Sequence, residues 1–131
     1  MEYIKKFDKW NSLKKKLDEK DQVWSFREKE IWWCSLGVNV GCEEDGKGKK
    51  FLRPVYVLNK VNSNRFIGIP ITSTLKHDHL HVAFYFKYNL STALLSQIRM
   101  LDRKRLVKKM GRTSDYLHNK MKKATADFIS S

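Results

Sequence analysis

The sequence predicts an α+β fold, in which helices flank a small antiparallel β-barrel. Three observations predict it: apolar residues recur at helical spacing near both ends of the chain, short β-rich runs fill its middle, and turn residues separate those runs. The chain has 131 residues, is 41% hydrophobic and contains 4 Trp, 5 Tyr and 7 Phe. These side chains are enough to build the core of one compact domain.

The first segment is predicted to be an amphipathic helix. Lysines fill most of one face, and the other face carries an apolar stripe made of Tyr3, Ile4, Phe7, Trp10, Leu13 and Leu17. Such a stripe needs a surface to pack on, and the pattern leaves open whether that surface is the same domain or a second protein. Residues 1–22 are therefore predicted to be a helical extension, and residues 23–131 the barrel domain.

The middle of the chain is predicted to form one twisted antiparallel sheet of five or more strands. The β-rich runs are 30–36, 53–58, 65–72, 80–88 and 93–100, and Asn and Gly clusters or charged loops separate them. A short helix is expected at 101–110. A final helix is expected to begin after the N-cap Ser114, with a buried face made of Leu117, Met121, Ala124 and Phe128.

The charge of the chain favours a polyanionic partner. The sequence has 27 Lys and Arg against 14 Asp and Glu, a net charge of +13. Residues 99–131 alone hold 10 basic and 3 acidic groups, so the C-terminal third is the basic pole. Nucleic acid is the first partner to expect, because such a charge steers polyanions and releases their counterions. A lysine-rich surface that only keeps the protein soluble is the alternative.

Several classes of protein find no support in the sequence. No apolar run is long enough to cross a bilayer and the N-terminus lacks the apolar region of a signal peptide, so a cytoplasmic protein is expected. Phosphate-loop, dinucleotide-binding and zinc motifs are absent, and no cofactor is expected. The two cysteines, Cys34 and Cys42, are predicted to be free thiols.

Three alternating histidines, His77, His79 and His81, are the one pattern that could suggest a metal site. On one face of a strand they could hold a metal ion or act as acid and base. A solvated, histidine-rich turn is the alternative interpretation, and no metal site is predicted.

The strongest candidate for chemistry is Arg53. Residues 37–52 are far longer than a hairpin connection, hold 4 of the 6 glycines and end at this arginine, which Pro54 keeps extended at the mouth of a strand. An arginine suits a phosphate, and RNA brings its own nucleophile, the 2′-OH, which Thr72 or Ser73 could position. The alternatives are a surface ion pair of Arg53 with Glu43 or Glu44 and a turn role for Thr72.

Together these segments resemble the PemK/MazF family of toxins from type II toxin–antitoxin systems. The resemblance covers residues 28–128. It is carried in order by EIWW at 30–33, GCE at 41–43, RPVYVL at 53–58, IPITS at 69–73, HV at 81–82, LSQIR at 95–99 with LD at 101–102, and RL at 105–106 leading to MG at 110–111.

The resemblance implies an SH3-like barrel that forms a homodimer, pairs with a small acidic antitoxin and cleaves single-stranded RNA. Cleavage by attack of the 2′-OH, without a metal, would leave a 2′,3′-cyclic phosphate and a 5′-OH. The implied catalytic residues are Arg53 and Thr72, with Glu43 helping to place the arginine. Contacts to RNA are expected from Lys47, Lys49, Lys50, Ser73, Gln97 and Arg99.

Two features depart from the family pattern. The family usually has a glycine two positions before the arginine, where this chain has Phe51, and the compact toxins lack the N-terminal helix. A binding module without catalysis on the same barrel remains the alternative, either an RNA-binding regulator or a gyrase poison similar to CcdB.

Overall fold

The computed structural model describes residues 6–19, 23–37, 52–74 and 80–131. Within them, helix α1 (Phe7–Asp18) precedes the strands and helix α2 (Asp115–Ser130) follows them. The strands are β1 (Glu30–Ser35), β2 (Leu52–Lys60), β3 (Arg65–Thr72), β4 (His81–Phe86), β5 (Asn89–Leu94), β6 (Arg99–Asp102) and β7 (Leu106–Arg112). No helix in these ranges combines the length and the apolar character needed to span a bilayer.

The strands form one antiparallel sheet in the order β4-β5-β3-β2-β1-β7, and β6 also pairs with β3. β3 is the central strand, because one of its edges pairs with β2 while the other edge is shared by β5 and β6. Along that shared edge, Arg65 pairs with Asp102 of β6, and Ile71 pairs with Ala93 of β5. This sharing bends the sheet into the barrel-like shape that the sequence predicts.

Alternation along the strands produces two apolar clusters on opposite faces of the sheet. In β2, Tyr56 belongs to the cluster that α2 covers with Met121, whereas Val55 and Val57 belong to the other cluster. The second cluster also contains Phe26, Trp32, Cys34, Leu36, Phe66, Leu101 and Leu106. Residues that are neighbours in sequence thus stabilise different sides of the sheet.

A buried carboxylate orients the start of β1. Glu30 accepts hydrogen bonds from the backbone N–H of Arg27 at 2.8 Å and from Trp32 Nε1 at 3.0 Å, and it pairs with Lys109 Nζ at 2.7 Å. Burial by itself raises the pKa of Glu30, but these hydrogen bonds outweigh it and the pKa is lowered. The bond to Trp32 holds that indole in the buried cluster, so the next side chain, Trp33, points to the opposite face of the sheet.

Two sequence predictions about the C-terminal half are wrong. Residues 93–100 do not form one strand, because a 3₁₀ turn at Leu95–Gln97 separates β5 from β6. The turn carries the chain from one end of β3 to the other while Leu95 stays buried. Residues 101–110 do not form a helix: β6 ends, a second 3₁₀ turn follows at Arg103–Arg105, and β7 begins. Pairing of β7 with β1 satisfies this backbone and buries Leu106, so tertiary contacts override local helix propensity.

The final helix matches its prediction. The Ser114 hydroxyl accepts a hydrogen bond from the N–H of Leu117 at 3.1 Å, which caps the first turn. Met121 is fully buried, and Leu117, Ala124 and Phe128 pack around the cluster beneath it.

Helix α1 docks on the barrel through Trp10. This indole is only 6% exposed and lies against Gly37, where an added Cβ would come within 1.8 Å of Trp10 Cε2. The Arg105 guanidinium stands 5.8 Å from the ring centroid and donates to the Ser35 carbonyl at 3.1 Å. The sequence leaves open whether the helix packs on its own domain or on a second protein. In the structure it packs on its own domain.

The hairpin between β4 and β5 has a strained turn. Its two turn residues, Lys87 and Tyr88, have φ of 48° and 67°, a region that L-residues other than Gly, Asn and Asp rarely adopt. Lys87 Nζ donates to the Met110 carbonyl of β7, and Phe86 lies against Gly111. The hairpin therefore contacts the strand at the opposite edge of the sheet.

Candidate functional site

A groove of about 920 Å³ opens on the sheet, lined by residues of β1, β2, β5 and β7 and by the end of β3. Arg53, Thr72 and Ser73, three of the residues predicted from the sequence, lie together in it. The structure thus brings together side chains that are separated by about twenty positions in the chain.

Arg53 is held firmly at this groove. It is the second residue of β2, pairs with Cys34 of β1 and is only 7% exposed. Its Nη1 donates to the Ile71 carbonyl at 3.3 Å, which places the guanidinium beside the last residues of β3. The alternative, an ion pair with Glu43 or Glu44, falls on residues outside the described ranges.

Thr72 lies next to Ile71, at the end of β3. Its hydroxyl accepts a hydrogen bond from the N–H of Thr74 at 3.2 Å, so it does fix the turn that follows the strand. A hydroxyl has a proton to donate as well as lone pairs to accept, so this turn role leaves Thr72 able to donate to a ligand in the groove. Its backbone neighbour on β5 is the buried Thr92.

The remaining predicted residues lie elsewhere or outside the described ranges. Gln97 lies in the 3₁₀ turn and Arg99 in β6, and neither lines the groove. The predicted glutamate and lysines of the long connection, Glu43, Lys47, Lys49 and Lys50, are outside the described residues, as are Glu44, Phe51, Cys42, His77 and His79. His81 begins β4, and Cys34 is a buried free thiol.

Among the groove residues that the sequence does not predict as site residues, four have polar or aromatic side chains: Trp33, Lys108, Asn89 and Ser91. Trp33 and Lys108 face each other across β1 and β7. The sequence predicts a helix at 101–110, so it does not reveal this pair, which forms only because residues 106–112 are a strand. Asn89 and Ser91 alternate along β5 and so project from the same face.

The groove combines an arginine, a lysine, hydroxyl groups and apolar walls. Arg53 can bind two oxygens of one phosphate through its planar fork, while Lys108 supplies a second, exposed cation. Apolar residues such as Leu52, Leu90 and Val107 line the rest. Such a surface can hold an organic phosphate whose other part is flat and apolar.

A separate buried network lies under α2. Tyr56 Oη is 2.6 Å from His118 Nδ1 and also contacts the Thr113 hydroxyl at 3.3 Å, while Thr113 Oγ1 stands 2.9 Å from the Lys29 carbonyl. Burial raises the pKa of Tyr56 to about 12. Burial also lowers the pKa of His118, assisted by Lys122 and opposed by Glu28, whose Oε1 stands 3.6 Å from His118 Nε2. None of these residues lines the groove.

Comparison with protein families decides where the chain belongs. Residues 27–129 match the family described as "PemK-like, MazF-like toxin of type II toxin-antitoxin system". The chain is a member of this toxin family. The resemblance carried by the sequence motifs is thereby confirmed. No curated protein matches the chain.

Two solved structures share the fold. The crystal structure of MazF (Form-I) from Deinococcus radiodurans superimposes with a TM-score of 0.68 at 18% identity, covering 82% of this chain and 99% of that one. An endoribonuclease in complex with its cognate antitoxin, from Mycobacterial species, gives a TM-score of 0.61 at 14% identity, covering 81% and 96%. These likenesses confirm an α+β, MazF-like barrel as the fold.

Proposed function

We propose that this PemK/MazF toxin is an endoribonuclease that cleaves single-stranded RNA at the groove. One observation carries the proposal. Arg53 and Thr72 come from neighbouring strands, and the arginine donates to the carbonyl of the residue before the threonine. A phosphate bound by the guanidinium would therefore lie within reach of a hydroxyl group.

The proposed reaction uses the substrate's own nucleophile. The 2′-oxygen loses its proton and bonds to the adjacent phosphorus, the bond from phosphorus to the 5′-oxygen breaks, and that oxygen takes up a proton. The products are a 2′,3′-cyclic phosphate and a 5′-OH end, with no redox change and no water consumed. Because the nucleophile is part of the substrate, the reaction needs no metal to generate one.

In this mechanism Arg53 stabilises the charge that develops on the pentavalent phosphorane, or protonates the leaving 5′-oxygen. Thr72 positions the 2′-OH or the phosphate. A fixed donor is effective here because its orientation is set before the reaction begins. Glu43 is proposed to help place Arg53, and lysines of the long connection to hold the RNA backbone.

The test is cleavage of a labelled single-stranded RNA in EDTA by the wild type, Arg53→Ala and Thr72→Val. Arg53→Ala is expected to lower kcat/KM by about 10²–10³-fold, the usual cost of losing one fixed donor to the transition state. Thr72→Val is expected to cause a smaller loss. Arg65→Ala, which removes an exposed arginine at the other end of β3, is the matched control and should cleave normally.

Two results would overturn the mechanism: no cleavage by the wild type, or undiminished cleavage by Arg53→Ala. Arg53→Lys keeps the charge but loses the fork, and circular dichroism of each variant separates misfolding from lost chemistry. RNA that binds with a steep salt dependence but stays intact would favour a binding module. Loss of DNA integrity before mRNA in cells would favour a gyrase poison.

The same proposal includes two protein partners and a cytoplasmic site of action, where mRNA is exposed. A second copy of the chain would form a homodimer, and a small acidic antitoxin would cover the basic groove. The structural relative from Mycobacterial species, an endoribonuclease bound to its cognate antitoxin, supports the second partner. Light scattering of the purified chain, and co-purification with the product of a neighbouring short acidic reading frame, test them separately.

A further inference from the structure

Trp33 is the only aromatic side chain among the described residues that line the groove. Its neighbour Trp32 is buried in the opposite cluster, where its Nε1 donates to Glu30. Trp33 itself is only partly buried. A large apolar ring is therefore left partly in solvent, on the same surface as the proposed catalytic pair.

The neighbours of Trp33 fix its position relative to Arg53. Across β2 it pairs with Pro54, the residue that follows the arginine, and across β7 it pairs with Lys108. Since adjacent strands are about 4.8 Å apart, Lys108 and Arg53 stand on strands about 10 Å apart, and Trp33 belongs to β1, the strand between those two. Across the three strands the order is therefore cation, aromatic residue, cation.

This order matches a single-stranded nucleic acid better than it matches an apolar peptide. Consecutive phosphates of the strand need cations, and the base between them offers a flat face to an aromatic ring. An apolar peptide carries no negative charges that could pair with the two cations. On the β5 side, Asn89 and Ser91 each carry groups that can both donate and accept hydrogen bonds, as the edge of a base requires.

We propose that Trp33 stacks on the base next to the phosphate held by Arg53, that Lys108 binds the following phosphate, and that Asn89 and Ser91 read the edge of the stacked base. This inference rests on the proposed function, because the position of the reacting phosphate at Arg53 defines which base is stacked. Stacking provides affinity for every base, whereas the polar pair on β5 provides the choice among bases.

The test measures binding without cleavage. Four fluorescent homopolymers of about 10 nucleotides, one for each base and within the usual site size, carry 2′-O-methyl groups that block the nucleophile. Trp33→Ala is expected to weaken binding of all four by about 5–150-fold, the usual value of one base stacked on an aromatic ring. Trp33→Phe should retain most of the affinity. Asn89→Ala should change the ratios among the four affinities.

The matched control is Trp24→Ala, which removes a tryptophan that is 45% exposed and does not line the groove. It should bind all four oligonucleotides as the wild type does. Tryptophan fluorescence gives an independent signal. Quenching on binding should disappear in Trp33→Phe and persist in Trp24→Phe, a difference that a merely structural role for Trp33 would not produce.

The inference is overturned if no oligonucleotide binds the wild type, if Trp33→Ala binds all four normally, or if quenching survives in Trp33→Phe. Unchanged ratios in Asn89→Ala and in Ser91→Ala would overturn the role of the β5 side. Failure of the proposed function gives a different result: the oligonucleotides bind and quench Trp33, yet matching unmodified RNA stays intact.

Discussion

His118 is a buried histidine whose two ring nitrogens meet different surroundings. Nδ1 contacts the Tyr56 hydroxyl at 2.6 Å, while Nε2 stands 3.6 Å from Glu28. The pKa of His118 is lowered, first by burial and then by Lys122, with a smaller part from Lys29; Glu28 acts in the opposite direction. The folded protein therefore resists protonation of this ring more than the unfolded chain does.

The consequence is a stability that depends on pH. Above the usual histidine pKa of about 6.5, the ring is neutral in both states and contributes no slope. As the pH falls below that value the unfolded chain takes up the proton first, so the free energy of unfolding decreases until the lower, folded-state pKa is passed. Urea unfolding between about pH 7 and pH 5 should show this decrease.

The matched variant is His118→Gln, which can still accept from Tyr56. The decrease should be smaller in His118→Gln. Equal slopes in the wild type and His118→Gln would show that other groups cause the pH dependence.

The candidate site could be predicted from the sequence only in part. Arg53 and Thr72 stood out because Pro54 and the end of a strand define their backbone locally, and because both lie in family motifs. Trp33 and Lys108 did not, since they meet only through pairing of β1 with β7, a contact between residues far apart in the chain. The local sequence pattern of a strand does not specify which other strand pairs with it.

The β4–β5 hairpin is an element in which local rules and the observed structure disagree. A two-residue turn of this type prefers Asn-Gly, yet Lys87 and Tyr88 occupy it with positive φ. The Tyr88 side chain is fully exposed, so no packing within the described residues compensates for its backbone strain. The Lys87 bond to the Met110 carbonyl is one contact that holds the turn in place.

Tyr88→Gly is therefore expected to stabilise the fold. Glycine removes the penalty of the left-handed conformation, about 1–2 kcal/mol, against its own entropic cost of about 0.5–1 kcal/mol. The net gain of about 0.5–1 kcal/mol should raise the Tm by a few degrees in a thermal melt. Tyr85→Ser, which changes an exposed tyrosine on the adjacent strand, should not raise it. A lower Tm for Tyr88→Gly would mean that the ring stabilises the fold by contacts beyond those described.

Among the described residues, helix α1 contacts the barrel around Trp10 and near the turn at Arg103–Arg105, and the match to the family begins only at residue 27. We propose that residues 1–22 are an extension added to a barrel domain at 23–131. Gly37→Ala should release the helix, because its new methyl group would overlap Trp10 and because φ at this position is +77°. Amides of α1 should then exchange with deuterium about tenfold faster, or more, if the lost contact is worth about 1.4 kcal/mol.

Amides of β2 should keep their protection in Gly37→Ala. Trp10→Ala serves as the second arm of a double-mutant cycle, since adding Gly37→Ala to it should cause little further loss of protection in α1. Additive effects of the two changes would contradict a direct contact between Trp10 and Gly37.

The elements themselves were predicted with uneven success. The capped helix α2 and the strands near 30–36, 53–58 and 65–72 were visible because their periodicity and end signals agree. The turn at Leu95–Gln97 and strand β7 were missed. The apolar residues of 93–100 fit a single strand locally, whereas residues 101–110, rich in Lys and Arg, fit a helix locally, and only pairing with β3 and β1 selects the observed structure.

At the scale of the whole molecule, the net charge is +13, and the described lysines lie on more than one surface. Lys108 lines the groove, whereas Lys120, Lys122 and Lys123 are exposed on α2 and do not. Counterion release should distinguish the two sets. Each phosphate contact made by a lysine contributes about −0.7 to the slope of log K against log salt for a single strand.

Lys108→Ala should therefore flatten that slope by about 0.7, measured with a 2′-O-methyl oligonucleotide at several salt concentrations. Lys120→Ala combined with Lys123→Ala should leave the slope unchanged even though it removes more charge. An equal flattening by the α2 variant would show that the strand is bound by overall charge and not along the groove.

Cys34 is fully buried in β1, pairs with Arg53 of β2, and burial raises the pKa of its thiol. While β1 and β2 stay paired, a thiol reagent cannot reach Cys34, and the raised pKa keeps its thiol protonated and unreactive. A Cys42→Ser chain would then carry a single thiol, whose labelling rate counts how often the β1–β2 pair separates. The labelling rate of Cys34 therefore measures transient opening at the strand that bears Arg53. It can be compared in the absence and in the presence of RNA, and it needs no engineered cysteine.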